Sequence, residues 1–253
     1  MSQILAIAGL QLKLLSHKRF ILALVAVWIV RLVLVVELGR SNVSLPLLLP
    51  SLYITDLLVI VMACGLIADD AERGTFAFVL SHGIDRRMYL AGKLLPVIGL
   101  ATAFAVLAHV ATVLMTPSAA AGPASPAAVA GRLIIGSAMS LARILVVTAV
   151  TAWMAVALTN RYLASMGALL YVYGLAYLVQ SVLSPQSPGA WLAESLLPWR
   201  DNFDRLAAML FSGRLEAAPL ATAIVQPLVY ATLFGVLAVR TLGRRDLAYA
   251  DAG

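Results

Sequence analysis

Ile67-Ala-Asp-Asp-Ala-Glu-Arg-Gly-Thr-Phe-Ala-Phe-Val-Leu-Ser-His-Gly-Ile-Asp-Arg-Arg-Met-Tyr-Leu-Ala-Gly-Lys93 is the stretch whose reading decides the fold. It is the main charged segment of a 253-residue chain that is 62% hydrophobic and 12% charged. It gathers Asp69, Asp70, Glu72, Arg73, Asp85, Arg86, Arg87 and Lys93 between two apolar runs long enough to cross a bilayer. Gly74 breaks the preceding helix, and the Thr75 hydroxyl can cap a new one. Phe76, Val79 and Leu80 then fall at i, i+3 and i+4, one apolar face. His82-Gly83 ends that turn, because glycine takes a left-handed C-terminal conformation without strain. The spacing predicts a short amphipathic helix outside the bilayer, with one face open to another protein.

Working outward, composition sets the class. The mean hydropathy is +0.96. No soluble core of this size needs so much apolar sequence, so the chain reads as an all-α polytopic membrane protein. The net charge of +6 is no nucleic-acid signal, because the basic residues sit at span ends without interleaved stacking aromatics. One cysteine, Cys64, excludes an internal disulfide. The first twenty residues do not read as a signal peptide, since no compact apolar core follows a basic start.

The charged stretch also carries a family resemblance. Glu72-x-Gly74-Thr75, Leu80, and Arg86-x-x-Tyr89-Leu90-x-Gly92-Lys93 resemble the loop between the first two hairpin helices of ABC-2 type permeases. These are the membrane subunits of ATP-binding-cassette exporters, including the nitrous-oxide-reductase maturation permease group. Two positions depart from the family pattern: Gly83 stands where Pro is usual, and Asp85 replaces Ser or Thr before the Arg. The resemblance implies that the loop is a coupling helix docking on a cytoplasmic ATPase. The residues it implicates are Glu72, Gly74, Thr75, Phe76, Phe78, Leu80, Arg86, Tyr89 and Lys93. A basic C-terminal end, Leu242-Gly243-Arg244-Arg245-Asp246-Leu247, is similar to that of many such permeases.

In chain order, residues 2–19 fit an interfacial helix on the cytoplasmic leaflet, or a plain positively charged flank. The resemblance implies the former. Apolar runs at 20–38, 47–68, 94–115, 133–158, 163–183 and 219–239 give six expected spans. Residues 69–93 form the cytoplasmic coupling loop of a single transmembrane domain spanning 1–253. Thr116–Gly131 is uncharged and rich in Ala, Pro, Gly and Ser, so it reads as an outer loop. Asn160-Arg161 reads as a tight inner turn. The basic residues favour the inside, which places both termini in the cytoplasm.

Residues 184–218 form an outer loop with Pro185, Pro188, Trp191, Pro198 and Trp199 at the interface. Asp201 can cap a short helix whose stripe is Phe203, Leu206, Ala207, Leu210 and Phe211. The resemblance implies short re-entrant helices forming an outer gate that includes Trp199, Asp201 and Phe203. An amphipathic surface helix without a gate role fits the residues equally well.

Charges within spans point to function, because burying one unpaired is expensive. Asp56 and Arg143 reach similar depth, and Arg31 lies nearer the outer face. The expectation is that Asp56 pairs with Arg143 or Arg31. Two meanings stay open: a translocation path for a polar substrate, or an ion pair fixing helix register. His109 reads as packed or hydrogen-bonded. Metal binding finds no support, since His17, His82 and His109 are scattered and no Cys-x-x-Cys occurs. Gly92-Lys93 lacks the Ser/Thr and the upstream Gly of a phosphate loop.

The reading is therefore a non-catalytic permease subunit, with ATP and Mg on a separate ATPase and no cofactor on this chain. The resemblance implies a bacterial inner-membrane location and a dimer of permeases, with a second copy or a similar chain, on an ATPase dimer. Membrane lipids surround it, nucleic acid is no partner, and any periplasmic partner is unidentified. Alternatives from other classes are a proton-coupled carrier using Asp56 and a membrane assembly protein that transports nothing.

Overall fold

The computed structural model describes residues 2–16, 25–26, 28–30, 33, 49–75, 83–115, 126–158, 160–174 and 217–250. Among these the regular structure is all helical, with no strand, and short turns at 73–74, 83–85 and 160. Six labelled helices follow in order: α1 (Ser2–Ser16), α2 (Leu49–Glu72), α3 (Arg86–Met115), α4 (Pro126–Leu158), α5 (Arg161–Leu169) and α6 (Ala217–Ala250). A π-helical turn, Leu170–Gly174, continues α5. Most of the expected first span, the whole of 76–82, the tip of the outer loop at 116–125, and 175–216 lie outside the described residues. Arg31, Phe76, Phe78, Leu80, Trp199, Asp201 and Phe203 are therefore not placed.

Three helical stretches are long and apolar enough to cross a membrane: Arg86–Val110, Val129–Leu158 and Ile224–Arg244, of 25, 30 and 21 residues. At ~1.5 Å per residue they reach roughly 38, 45 and 32 Å, against a hydrocarbon core of about 30 Å. Their outer faces are apolar as well. Leu95, Leu107, Ile134, Leu141, Val225, Val229, Leu233 and Val236 are exposed. A water-soluble fold rarely leaves so much large apolar surface uncovered, whereas lipid tails tolerate it.

The helices pack around α4, which touches α2, α3, α5 and α6. α2 is enclosed over its middle: Leu58, Val59, Ile60, Met62, Ala63, Cys64, Leu66 and Ile67 are all buried. They meet Val146, Val147, Val150, Ala155 and Val156 of α4 and Ala164 and Ala168 of α5 in one apolar core. Small residues at these positions let backbones approach, which matters where lipid supplies no hydrophobic drive. Trp28, from the expected first span, is buried with its ring 4.7 Å from Phe104 on α3.

Several helix ends differ from the expected spans. α3 begins at Arg86, ahead of the expected 94, because Asp85 caps it. Arg87 N donates to Asp85 Oδ1 at 3.0 Å, and Tyr89 N donates to Asp85 O at 2.9 Å. Asp fills the cap as well as Ser or Thr does. α2 runs on to Glu72, so Asp69 and Asp70 extend the helix rather than open a loop. α4 starts at Pro126, within the expected outer loop. Proline suits a first helical turn, and the alanines that follow are the best helix formers. α6 continues to Ala250, carrying Leu242 fully buried beyond the expected end at 239.

Candidate functional site

The charged stretch forms a clasp where α2 ends and α3 begins. α2 closes with Arg73 N donating to Asp69 O at 3.1 Å and Gly74 N to Ala71 O at 3.2 Å. Gly74 then takes φ 68°, and Gly83, before α3, takes φ 74°. Both are left-handed, where a side chain is strained, so each glycine serves a chain reversal. Thr75 follows Gly74 in helical conformation, half-buried. Glu72 is the last residue of α2.

Between these turns the two helices are pinned by buried polar contacts. Lys93 Nζ lies 2.7 Å from Asp70 Oδ2 and donates to Leu66 O at 3.5 Å. The Tyr89 hydroxyl donates to the same Asp70 oxygen. The Lys93 ammonium also stands 5.7 Å from the Tyr89 ring centroid, within cation–π range. Tyr89 is 1% exposed and Lys93 7%. Both residues of the motif therefore face inward, onto α2. Losing one partner of such a pair leaves the other as a desolvated charge, at about 3–5 kcal/mol.

The remaining motif residues join further helices to the clasp. A Cβ on Gly92 would stand 2.8 Å from Ile7 Cβ and Cγ2, so glycine is what lets α1 lie against α3. A Cβ on Gly243 would stand 3.4 Å from Arg86 Nη1, which puts the lower part of α6 beside that guanidinium. Arg161 Nη1 reaches Asp69 Oδ1 at 3.8 Å, from the start of α5. That start is capped by Asn160, whose Oδ1 accepts from Tyr162 N at 2.9 Å and Leu163 N at 3.1 Å. Arg161 is exposed and its pair with Asp69 is long, so it adds little energy. It does bring a fifth helix to the same end of the bundle.

A second polar cluster lies deep in the helices. Arg143, midway along Val129–Leu158, donates from Nε at 2.9 Å and from Nη2 at 2.6 Å to Asp56 Oδ2. The Tyr173 hydroxyl donates to the same oxygen at 2.7 Å. Asp56 is 1% exposed and Arg143 4%. The structure thus brings together Asp56 and Arg143, while Arg31 lies outside the described residues. Three donors on one carboxylate oxygen offset much of its desolvation.

Sequence reasoning did not single out Tyr173. It sits in the π turn, where the extra residue per turn re-aims side chains. The tyrosine-rich run at 171–177 was the available signal. Beside it, Tyr171, Trp153 and Tyr230 surround Phe234, with ring centroids at 5.5, 5.5 and 6.5 Å. These rings tie α4, the π turn and α6 together. Deeper contacts also include His109 Nε2, 3.2 Å from Ser140 Oγ, joining α3 to α4.

No family model and no curated protein matches this chain.

Proposed function

We propose that the chain is a permease subunit of an ABC-2 type exporter, lying in the bacterial inner membrane with both termini in the cytoplasm. In this reading two such chains form the substrate path. A separate ATPase dimer, which binds ATP and Mg, docks on residues 75–82 of each. The observation that carries the proposal is the clasp. A segment carrying the family's residue order is delivered between two left-handed glycines, Gly74 and Gly83, from helices pinned by Asp70, Tyr89 and Lys93.

Such a device suits force transmission. A push reaching the end of α2 or the start of α3 moves both helices together, because Asp70 and Lys93 join them, and through Gly92 and Arg86 it reaches α1 and α6. A loop on flexible ends would absorb the same push. The residues then divide by task. Phe76, Phe78 and Leu80 meet the ATPase, since buried aromatics anchor interfaces. Tyr89 and Lys93, being buried, position the segment without touching the partner. Glu72, Thr75 and Arg86 set its ends.

Chemical cross-linking tests the docking. Phe78→Cys, in a chain whose Cys64 is buried, should cross-link through a short thiol–amine reagent to a nucleotide-binding protein in membranes, and the unaltered chain should not. A cysteine at Leu107, exposed on α3 within the apolar zone, should give no such product. Equal products from both sites, or none at Phe78→Cys in well-expressed chain, would reject the docking.

A further inference from the structure

Among the described residues, buried side-chain polar atoms without a hydrogen-bond partner occur at two places, His109 Nδ1 and Thr102 Oγ1. Both are on α3, seven residues apart, which returns them to nearly the same angle on the helix. The rise between them is roughly 10 Å. Ala105, buried and small, lies between them. Neither residue is part of the clasp or of the Asp56–Arg143 cluster.

An unpaired polar atom is costly here, where no bulk water competes. Thr102 makes the point sharper. A helical threonine has a ready acceptor in the carbonyl four residues back. Thr148, Thr151, Thr232 and Thr241 all use it, at 2.6, 2.7, 2.9 and 2.8 Å. Thr102 does not. For His109, Ser140 Oγ is 3.2 Å from Nε2. We take the tautomer in which the Ser140 hydroxyl donates to Nε2, which puts the ring proton on Nδ1. His109 then offers an unused N–H, and Thr102 an unused O–H.

We propose that the Thr102–His109 stripe binds an uncharged ligand through carbonyl or hydroxyl oxygens that accept from these two groups. The inference rests on the reading of the helices as a transport path and names the class of molecule they take. Ser140, which holds His109, is one turn from Arg143, and Arg143 is already neutralised by Asp56 at 2.6 Å. A ligand with a full charge would bring an uncompensated one into the membrane core. Each donor reaches about 3 Å toward its acceptor, so a ligand lying between the two groups needs acceptor oxygens roughly 5 Å apart, which the neighbouring ester carbonyls of one glyceride supply.

Dioctanoylglycerol is a suitable probe, being uncharged and carrying two ester carbonyls and a hydroxyl. The full chain, with isotope-labelled histidine, is placed in nanodiscs of ether-linked phospholipid, which lack competing ester carbonyls. Titration should move one imidazole signal saturably. That signal should be absent in His109→Phe combined with Ser140→Ala, which strands no hydroxyl. Thr102→Val should weaken the apparent affinity about tenfold, the size expected for one lost hydrogen bond in a dry site, while Thr102→Ser should keep it. Both apolar variants should unfold at or above the wild-type temperature, since they remove unpaired polar atoms.

No saturable change, the result if water alone occupies the stripe, would overturn the proposal. So would unchanged affinity in Thr102→Val, or equally tight binding of dioctanoyl phosphatidic acid. Recovery of an ATPase with the chain is scored separately. Probe binding without any ATPase would reject the exporter reading and keep the site. An ATPase without probe binding would do the reverse.

Discussion

Lys93 shows how one side chain changes its meaning once its surroundings are known. In the sequence it closes the motif that points to a partner protein. In the structure its ammonium is buried against Asp70 and the Leu66 carbonyl. Lys93→Met should therefore destabilise the chain by about 3–5 kcal/mol, because Asp70 is left charged and unpaired. Adding Asp70→Asn should restore much of that loss. Thermal unfolding in detergent measures both, and strict additivity of the two changes would contradict the pairing. The same logic applies to Asp56 and Arg143, each with its charge fully desolvated. Arg143→Gln alone should cost on the order of 3 kcal/mol, and Arg143→Gln with Asp56→Asn should cost less. If transport survives in that double variant, the pair fixes helix register and the substrate path lies elsewhere.

At the scale of the helix, two features are open to simple substitution. Gly92 admits α1 against α3, since a Cβ would meet Ile7 at 2.8 Å. Gly99 lies further along the same helix, with nothing within 4 Å of its added Cβ. Gly92→Ala should destabilise by about 1–3 kcal/mol through overpacking. Gly99→Ala should be neutral or stabilising by up to ~1 kcal/mol, from helix propensity alone. Equal melting temperatures for the two variants would mean that α1 does not dock there. Asp85 is the second case. Asp85→Ala should cost about 1 kcal/mol by uncapping α3, and Asp85→Ser should recover most of it.

These elements also show what the chain discloses in advance. The left-handed Gly83 was legible, because few other residues tolerate that conformation, whereas Gly74 read only as a helix break and its φ of 68° came from the structure. Also legible was a pairing of Asp56 with Arg143 or Arg31, of which the structure shows the first, because opposite charges within spans have few other partners. The early start of α3 was not, although its cap stood in plain view. Asp85 read as part of a charged loop until its carboxylate was seen accepting from Arg87 N. Tyr173 and Ser140 were also missed. A hydroxyl in an apolar run gives no periodic signal, and its partner depends on helix rotation that spacing alone does not fix. The long run of helix from Pro126 was hidden by its Ala, Pro, Gly and Ser content, which reads as loop and helix alike.

For the whole molecule, the described helices converge on one end. α1 meets α3 at Gly92, α2 meets α3 at Lys93, α5 meets α2 at Asp69, and α6 meets α3 at Arg86. The opposite faces of α3, α4 and α6 present apolar surface suited to lipid. In the proposed reading the bundle is driven from that end, through helices joined by Asp70, Tyr89 and Lys93. The central claim is that a separate ATPase does the driving. The measurement that tests it most directly is purification of the tagged full chain in mild detergent, with every co-eluting protein identified. A soluble partner carrying a phosphate-binding loop is expected, retained with the unaltered chain and lost on Phe76→Ala with Phe78→Ala. A folded chain that elutes with no ATPase would contradict it and shift the weight to a carrier or an assembly protein.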